Sequence, residues 1–311
     1  MIRLLAVADV EDLLDLDQAI ACLEQVFRDQ TDGIVAPWPP WHASSGGASL
    51  FVRSGGLPGR ERMGIRFSTG PRNRSYAAIY ETPSGRLMSF MAYPFSDLRL
   101  NASVGVGVRH LAGPDARRVG IIGTGRLATG LLETVGALRG IELVAAYSRS
   151  ADNRERFASE GAQKLGIPVT AAPSAEEAVR DADIVVTATS ADGPVLNGDW
   201  VPPEALVVSI GSRTELDERI YERASLIVTA SRDQELRGPG SERWTLVRMI
   251  DSGALSSEAV VEVGQVIVGN VRPPSGIRVY REPQGGFSDI ALACSAYERA
   301  VELGRGMEWD G

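Results

Sequence analysis

Residues 119–130 read VGIIGTGRLATG, and this stretch decides the fold. A short apolar strand runs into Gly123, Thr124 and Gly125, and the chain then turns helical through Arg126, Leu127 and Ala128. Gly123 permits the tight turn out of the strand, and Gly125 lets the backbone approach a pyrophosphate. Ala128, in the third position, keeps the helix close to the sheet. The helix N-terminus then offers N–H groups and a partial positive charge to the phosphates. Alone, the fingerprint is a weak signal, because a glycine-rich turn that binds nothing is spelled the same way. Its position is unusual, with more than a third of the chain ahead of it.

The residues downstream supply context. RVGIIG, ELVAAYSR, IPVTAA, DIVVTAT, ALVVSIG and SLIVTA are β-branched runs alternating with helical segments such as 126–138 and 174–180. That order predicts an α/β unit with a parallel sheet, a Rossmann dinucleotide-binding domain. A further strand, GIRVYRE, precedes a final helix from about 288 to 303. The second strand of the repeat ends at Ser148, Arg149 and Ser150, with Arg154 a turn later. An NAD site usually has a carboxylate at this tip for the ribose hydroxyls, which would repel a 2′-phosphate. The serine–arginine cluster can bind one, so the expected cofactor is NADPH/NADP+. Asp152 lies beyond the tip, and the alternative role for Arg149 is stacking on adenine. Two later strand ends, Thr187, Ala188 and Thr189 and then Ile210, Gly211 and Ser212, complete the expected cofactor-binding set.

Upstream, residues 9–28 carry Leu13, Leu14, Leu16, Ile20, Leu23 and Phe27 at helical spacing. VAPWPPWHASSGGAS (35–49) is expected to break regular structure, leaving Trp38, Trp41 and His42 in a loop. From 48 to 95, SLFVR, MGIRFST, YAAIYE and RLMSFMAY read as an antiparallel sheet. The turns are placed at Gly55-Gly56, Gly70-Pro71 and Pro83-Ser84-Gly85. Residues 97–112 read as a small-residue-rich linker helix.

The bulk properties narrow the function. A length of 311 residues suggests two domains, and a formal charge of −8 argues against nucleic acid or an anionic membrane as partner. The N-terminus shows no basic segment followed by an apolar run, and no stretch is long enough to span a bilayer. Cys22 and Cys294 lack metal-type spacing and read as reduced core thiols of a cytoplasmic protein, with no metal site expected. Lys164 is the only lysine, so Schiff-base or lysine-base catalysis would have to use that one residue, which argues against those mechanisms.

The chain resembles the ornithine cyclodeaminase/mu-crystallin family over nearly its whole length. The carriers, in order, are GPRN (70–73), SGRLMSFMAYPFSDLRLNAS (84–103), GIIGTGRLATG (120–130), DADIVVTATS (181–190), SIGSRTELDE (209–218) and VYREPQGGFSDIALA (279–293). The resemblance implies an α+β substrate and dimerisation domain, 1–113 plus 285–311, into which the Rossmann domain, 114–284, is inserted. It implies a homodimer acting on a small α-amino or α-imino acid. Members include cyclodeaminases, alanine dehydrogenases and imino-acid reductases.

Several positions depart from the family pattern. Arg66 stands where the family usually has a lysine that contacts the substrate carboxylate, and an arginine gives up a proton far less readily. No arginine follows Pro37 in the first loop. Leu100 replaces the threonine after Arg99, and Glu282-Pro283-Gln284 replaces Ser-x-Gly. Ser212 stands where cyclodeaminases use an acid, in a loop several residues shorter. Cyclodeamination needs an acid/base group beside the amine, whereas a protonated iminium already carries its proton. The expected activity is therefore NADPH-dependent reduction of an imino acid or ketimine, or the reverse oxidation. The alternatives are an amino-acid dehydrogenase, a divergent cyclodeaminase and a non-catalytic binder of NADPH and a small ligand. Arg53, Arg66 and Arg99 are the candidate carboxylate anchors, with Trp41 as a pocket wall and Arg66 and His42 as catalytic candidates. Competing roles are a salt bridge from Arg99 to Asp97, a solvent-facing Arg53, a solvated His42, and a dimer contact for Trp38 and Trp41. Glu282 is open between binding an amine and simple exposure.

Overall fold

The computed structural model describes residues 1–37, 41–70, 74–138, 140–238, 240–283 and 285–310. Trp38, residues 71–73 of the GPRN block and Gln284 lie outside them. The chain divides into two compact units, one of residues 1–103, 237–239 and 284–311, the other of 104–236 and 240–283. The division falls within the helix Ser96–Leu111.

The second unit is a Rossmann-type α/β fold. Its strands are all parallel, in the order Val169–Ala171, Leu143–Tyr147, Arg118–Ile122, Ile184–Thr187, Leu206–Ser209, Ile277–Arg281, Ala224–Thr229, Val260–Glu262. Ile184–Thr187 and Leu206–Ser209 are buried at every position, as expected for central strands covered on both faces. The chain leaves Arg118–Ile122 toward one side of the sheet and later returns on the other. Between that strand and Ile184–Thr187 lies the topological switch point where such sheets bind ligands. The predicted further strand, Ile277–Arg281, inserts between Leu206–Ser209 and Ala224–Thr229. The helix Arg126–Leu138 matches its sequence expectation at both ends.

The first unit is a sheet backed by helices. Its order is Met307–Trp309, Ile2–Leu5, Leu87–Ala92, Arg74–Glu81, Arg62–Gly70, Ala48–Leu57, Ala36–Pro37, with Trp41–Ser45 also paired to Ala48–Leu57. The C-terminal helix Gly286–Glu302 covers one face and meets the helix Leu16–Thr31 through an edge-to-face contact of Phe27 and Phe287, centroids 6.1 Å apart. The other face is apolar. Trp41 pairs with Val52, Phe67 with Tyr76 and Ala78 with Phe90, which sets these residues on that side. Phe67, Tyr76 and Phe90 stack with centroids 5.6–6.0 Å apart, and Ile65, Phe90, Met63 and Trp41 are 36%, 37%, 40% and 57% exposed.

Four expectations need correction. The segment 35–49 is not a loop throughout, since Trp41–Ser45 forms a hairpin with Ala48–Leu57. Gly46 and Gly47, both at positive φ (56° and 80°), make the two-residue turn that joins them. Trp41 and His42 therefore sit on a strand. The expected turn at Gly55-Gly56 lies inside Ala48–Leu57, and the chain reverses instead through Pro58–Arg60 and the left-handed Glu61. The single helix expected over 9–28 is two, Val7–Val10 and Leu16–Thr31. Asp15 starts the second by capping Gln18 N at 2.8 Å, and Gln18 reciprocates as a capping box. Finally, the sequence pattern does not mark the strands Ile2–Leu5, Val260–Glu262 and Met307–Trp309, which the structure adds at or near the sheet edges.

Gly55 is a glycine because of a close approach. A Cβ there would lie 2.5 Å from Phe287 Cα, on the C-terminal helix. We predict that Gly55→Ala lowers the unfolding free energy by about 1–3 kcal/mol, the cost of overpacking a filled site. Urea denaturation checks this, and an unchanged midpoint would show that the helix yields freely.

Candidate active site

The nucleotide cradle is built at the switch point. Gly123 adopts φ 106°, and a Cβ on it would meet Ala188 O at 2.4 Å, so only glycine fits the turn. A Cβ on Gly125 would meet no atom within 4 Å, which leaves the space over the turn open to a ligand. A cleft of about 990 Å³ runs across this point. Among the expected cofactor residues, Gly123, Thr124, Gly125, Ser148, Arg149, Ser150, Ala188 and Thr189 line it. A dinucleotide fits this donor set, because backbone N–H groups and a helix start face the open side of the turn.

The remaining expected residues stand around the cleft. Ala128 is fully buried and sets the helix against the sheet, while Arg126 is exposed at the helix start and Leu127 is half-buried. Arg154 braces the tip from beneath, donating from Nη1 to Ser148 O at 3.1 Å with its guanidinium 5.8 Å from the Tyr147 ring centroid. Ser148 shares a 2.9 Å hydrogen bond with Thr124, and Ser150 caps the helix Ala151–Leu165. Arg149 is exposed at the cleft. Thr187 and Ile210 are buried supports. Ser212 opens onto a second cleft of about 910 Å³, together with Arg213, Thr214 and Trp244. The sequence reading missed Asn153, which lines the cradle, and Glu215, which holds it. Glu215 is fully buried and accepts from Thr187 Oγ1 (2.7 Å), Ser209 Oγ (2.6 Å), Gly211 N (3.0 Å), Thr189 N (3.1 Å) and Thr189 Oγ1 (3.0 Å).

The first unit gathers the arginines. Arg53 and Arg66 face each other across Ala48–Leu57 and Arg62–Gly70, on the side that carries the C-terminal helix. Asp289, one turn into that helix and 1% exposed, is their counter-charge. Arg66 Nη1 lies 3.5 Å from Asp289 Oδ2, Arg99 Nε lies 3.2 Å from Oδ1, and Tyr93 donates its hydroxyl to Oδ1 at 2.9 Å. Arg99 is thus paired with Asp289, a residue the sequence reading had not singled out. Arg66 Nη2 also donates to Ser75 Oγ (3.0 Å) and Ser96 Oγ (2.8 Å), and its guanidinium lies 5.1 Å from the Tyr93 ring centroid. Arg66 Nε and Asp289 Oδ2 have no hydrogen-bond partner among the described residues. Burial pulls the Arg53 guanidinium down to about 10, with Asp289 opposing the shift and Arg66 and Arg99 adding to it. It is still a cation at neutral pH. Burial, with the Asp289 charge beside it, pushes the Tyr93 phenol well up, so Tyr93 stays a hydrogen-bond donor.

Two candidates are separated by register. His42 pairs with Phe51 and so shares the arginine face, whereas Trp41 pairs with Val52 and points to the opposite, apolar face. Trp41 is therefore not brought to the arginines. Glu282 is buried rather than exposed, and its carbonyl accepts from Arg213 at 3.2 Å. Lys164 is ion-paired with Glu133 on the surface.

Comparison with known proteins gives these features a context. The model of the ornithine cyclodeaminase/mu-crystallin family matches residues 3–304. A Delta(1)-pyrroline-2-carboxylate reductase of Bacillus cereus is 32% identical over 216 residues, which span 67% of this chain and 65% of the relative. The ketimine reductase mu-crystallin of Macropus fuliginosus is 29% identical over 231 residues, 73% of this chain and 67% of the relative. Two solved structures share the fold. The Thermococcus litoralis Delta(1)-pyrroline-2-carboxylate reductase, in complex with NADH and L-proline, superposes with TM-score 0.88 at 24% identity, covering 99% of this chain and 100% of that one. The iminosuccinate reductase of Paracoccus denitrificans, in complex with NAD+, gives 0.90 at 20% identity, covering 99% of each. With a family match over almost its entire length, the chain belongs to the ornithine cyclodeaminase/mu-crystallin family.

Proposed function

We propose that the protein is an NADPH-dependent reductase of an imino acid or ketimine, able to run in reverse as an amino-acid oxidation. The observation that carries this is the buried Arg66–Asp289–Arg99 cluster, in which Arg66 Nε has no hydrogen-bond partner among the described residues and Asp289 Oδ2 has only the 3.5 Å ion pair to Arg66 Nη1. Polar atoms left so in a protein interior carry an uncompensated desolvation cost, which a bound carboxylate and its neighbouring nitrogen would offset. Arg66 and Arg53 bring two guanidinium charges to that carboxylate, while Asp289, which accepts from the Tyr93 hydroxyl, holds Arg66 and Arg99 in place. A reduced nicotinamide dinucleotide, when bound, supplies a hydride. The substrate side needs little else, because a protonated iminium accepts hydride at carbon and keeps the proton already on nitrogen. Ser212, hydrogen-bonded to Thr214 at 2.9 Å, offers no acid for ammonia loss, which disfavours cyclodeamination.

NADPH is preferred over NADH on the chemistry of the tip, where Arg149 is the exposed cation and no carboxylate stands before Asp152. A homodimer is supported by the apolar outer face of the sheet, where Trp41, Met63, Ile65 and Phe90 are all exposed, as at surfaces that meet a partner. Cys22 and Cys294 are free thiols, in keeping with a reducing compartment, and we assign the protein to the cytoplasm. No helix of the described residues is long and apolar enough to cross a membrane.

The function is tested by following NADPH oxidation with cyclic imino acids and with 2-oxo acids plus ammonia. Turnover of at least one is expected, and silence across the panel with cofactor shown to bind would overturn the reading. Arg149→Ala is predicted to lower the preference for NADPH over NADH by about ten- to a hundredfold, the worth of a charge-assisted hydrogen bond. An unchanged ratio would remove Arg149 from the phosphate site. Sedimentation should give twice the 33.2 kDa chain mass. Ile65→Arg, which charges the outer face, should shift it to the monomer, and a monomeric parent protein would sink the dimer.

A further inference from the structure

The arginine face of the sheet carries a second feature that carboxylate binding does not use. Phe51 stands on this face two residues before Arg53, and it is 44% exposed. His42, its cross-strand partner, lies over it as a stacked pair, ring centroids 6.2 Å apart and planes 24° from parallel. A phenyl ring and an imidazole thus form an exposed aromatic platform, two near-parallel rings on the side of the sheet that carries the arginines. The outer, apolar face is a separate surface and does not include it.

The register gives the distance between platform and anchor. Phe51 pairs with Ser68, and Ser68 pairs with Ser75, so the three stand in one row across adjacent strands. Strands lie about 4.8 Å apart, which puts Ser75 roughly 10 Å from Phe51. The Arg66 guanidinium leans along this row, with Nη2 3.0 Å from Ser75 Oγ. In an α-imino acid with a benzyl-like side chain, roughly 5 Å separates the carboxylate carbon from the ring centre, given bonds near 1.5 Å. Adding one guanidinium–carboxylate contact and one ring stack spans the row. A methyl side chain would leave both platform rings uncovered.

We infer that the substrate is an α-imino acid with a flat, aromatic side chain, its carboxylate at Arg66 and its ring on the Phe51–His42 platform. This rests on the reductase reading and narrows it. Hydride adds to the imine carbon, the C=N bond becomes C–N, the cofactor is oxidised, and the nitrogen keeps its proton. The ring takes no part in the bond changes and contributes binding alone.

The test compares phenylpyruvate with pyruvate, each with methylamine and NADPH, so that only the side chain differs. The aromatic substrate is expected to have a kcat/KM about tenfold or more above the methyl one. Phe51→Ala should collapse that ratio, and Phe51→Tyr, which keeps a ring, should retain it. Because Phe51 is exposed, the substitution leaves the core intact. A preference for the methyl substrate, or a ratio unmoved by Phe51→Ala, overturns the inference while the reductase reading stands. If neither substrate turns over, calorimetry with N-methylphenylalanine and N-methylalanine separates the two ideas. Tighter binding of the aromatic ligand that Phe51→Ala abolishes upholds the platform and faults the reductase reading. Equal or absent binding overturns the platform as well.

Discussion

Glu215 has no solvent exposure, and its two oxygens accept five hydrogen bonds from four residues at the ends of two neighbouring strands. A buried carboxylate is tolerable only when its oxygens are satisfied, and here the donors are the same groups that shape the cofactor cleft. Thr187 and Ser209 are register partners, so the carboxylate clamps the ends of Ile184–Thr187 and Leu206–Ser209 together. By accepting from Thr189 N it also holds the segment that lines the cradle. Gly211 must lack a side chain here, since a Cβ would lie 2.4 Å from Glu215 Oε2. The charge does not stand alone. Ser209 also meets Arg281, which is wholly buried and donates to Glu235 at 3.0 Å, and Glu235 lies 3.4 Å from Arg213. Two acids and two arginines alternate, so the interior of the nucleotide-binding unit carries charge without a net excess. Removing one member would leave another buried and unpaired, the costly case.

The first unit meets the same demand with a different balance. Asp289 answers Arg66 and Arg99 together, while Arg53 stands opposite Arg66 on the next strand. Like charges directly across a sheet are unfavourable unless an anion joins them. The arrangement depends on backbone contact between the C-terminal helix and the sheet. A Cβ on Gly286 would meet Ser54 O at 2.5 Å, and Gly55 is constrained by Phe287 from the other side. The two glycines allow the helix to descend far enough for Asp289 to reach the arginines.

How much of this the chain displays depends on the range of the interaction. The nucleotide-binding unit could be read from local pattern because β-branched runs, glycines and helix starts are all local signals, and Arg126–Leu138 was delimited to the residue. The hairpin at Trp41–Ser45 was hidden because glycine and proline in a polar stretch spell a loop and a two-residue turn alike. Gly55-Gly56 spelled a turn, and only Phe287, far away in sequence, reveals it as a point of contact. Arg66 and Arg99 were found through their alignment with family positions. Asp289 was not, since its partner Tyr93 lies 196 residues away and an acid in GFSDIALA looks like an ordinary helix start. Trp41 and His42 are adjacent in the chain, and only strand pairing shows that they serve opposite faces.

Lys164 has a use that follows from its position. It lies in the last turn of Ala151–Leu165, while the Ser148–Ser150 tip lies at the other end of that helix, roughly 20 Å away at 1.5 Å per residue. It carries the only side-chain amine in the chain, and neither cleft includes it. An amine-directed dye or surface linker would therefore attach to side chains at one defined point, leaving both the nucleotide cradle and the arginine face chemically untouched.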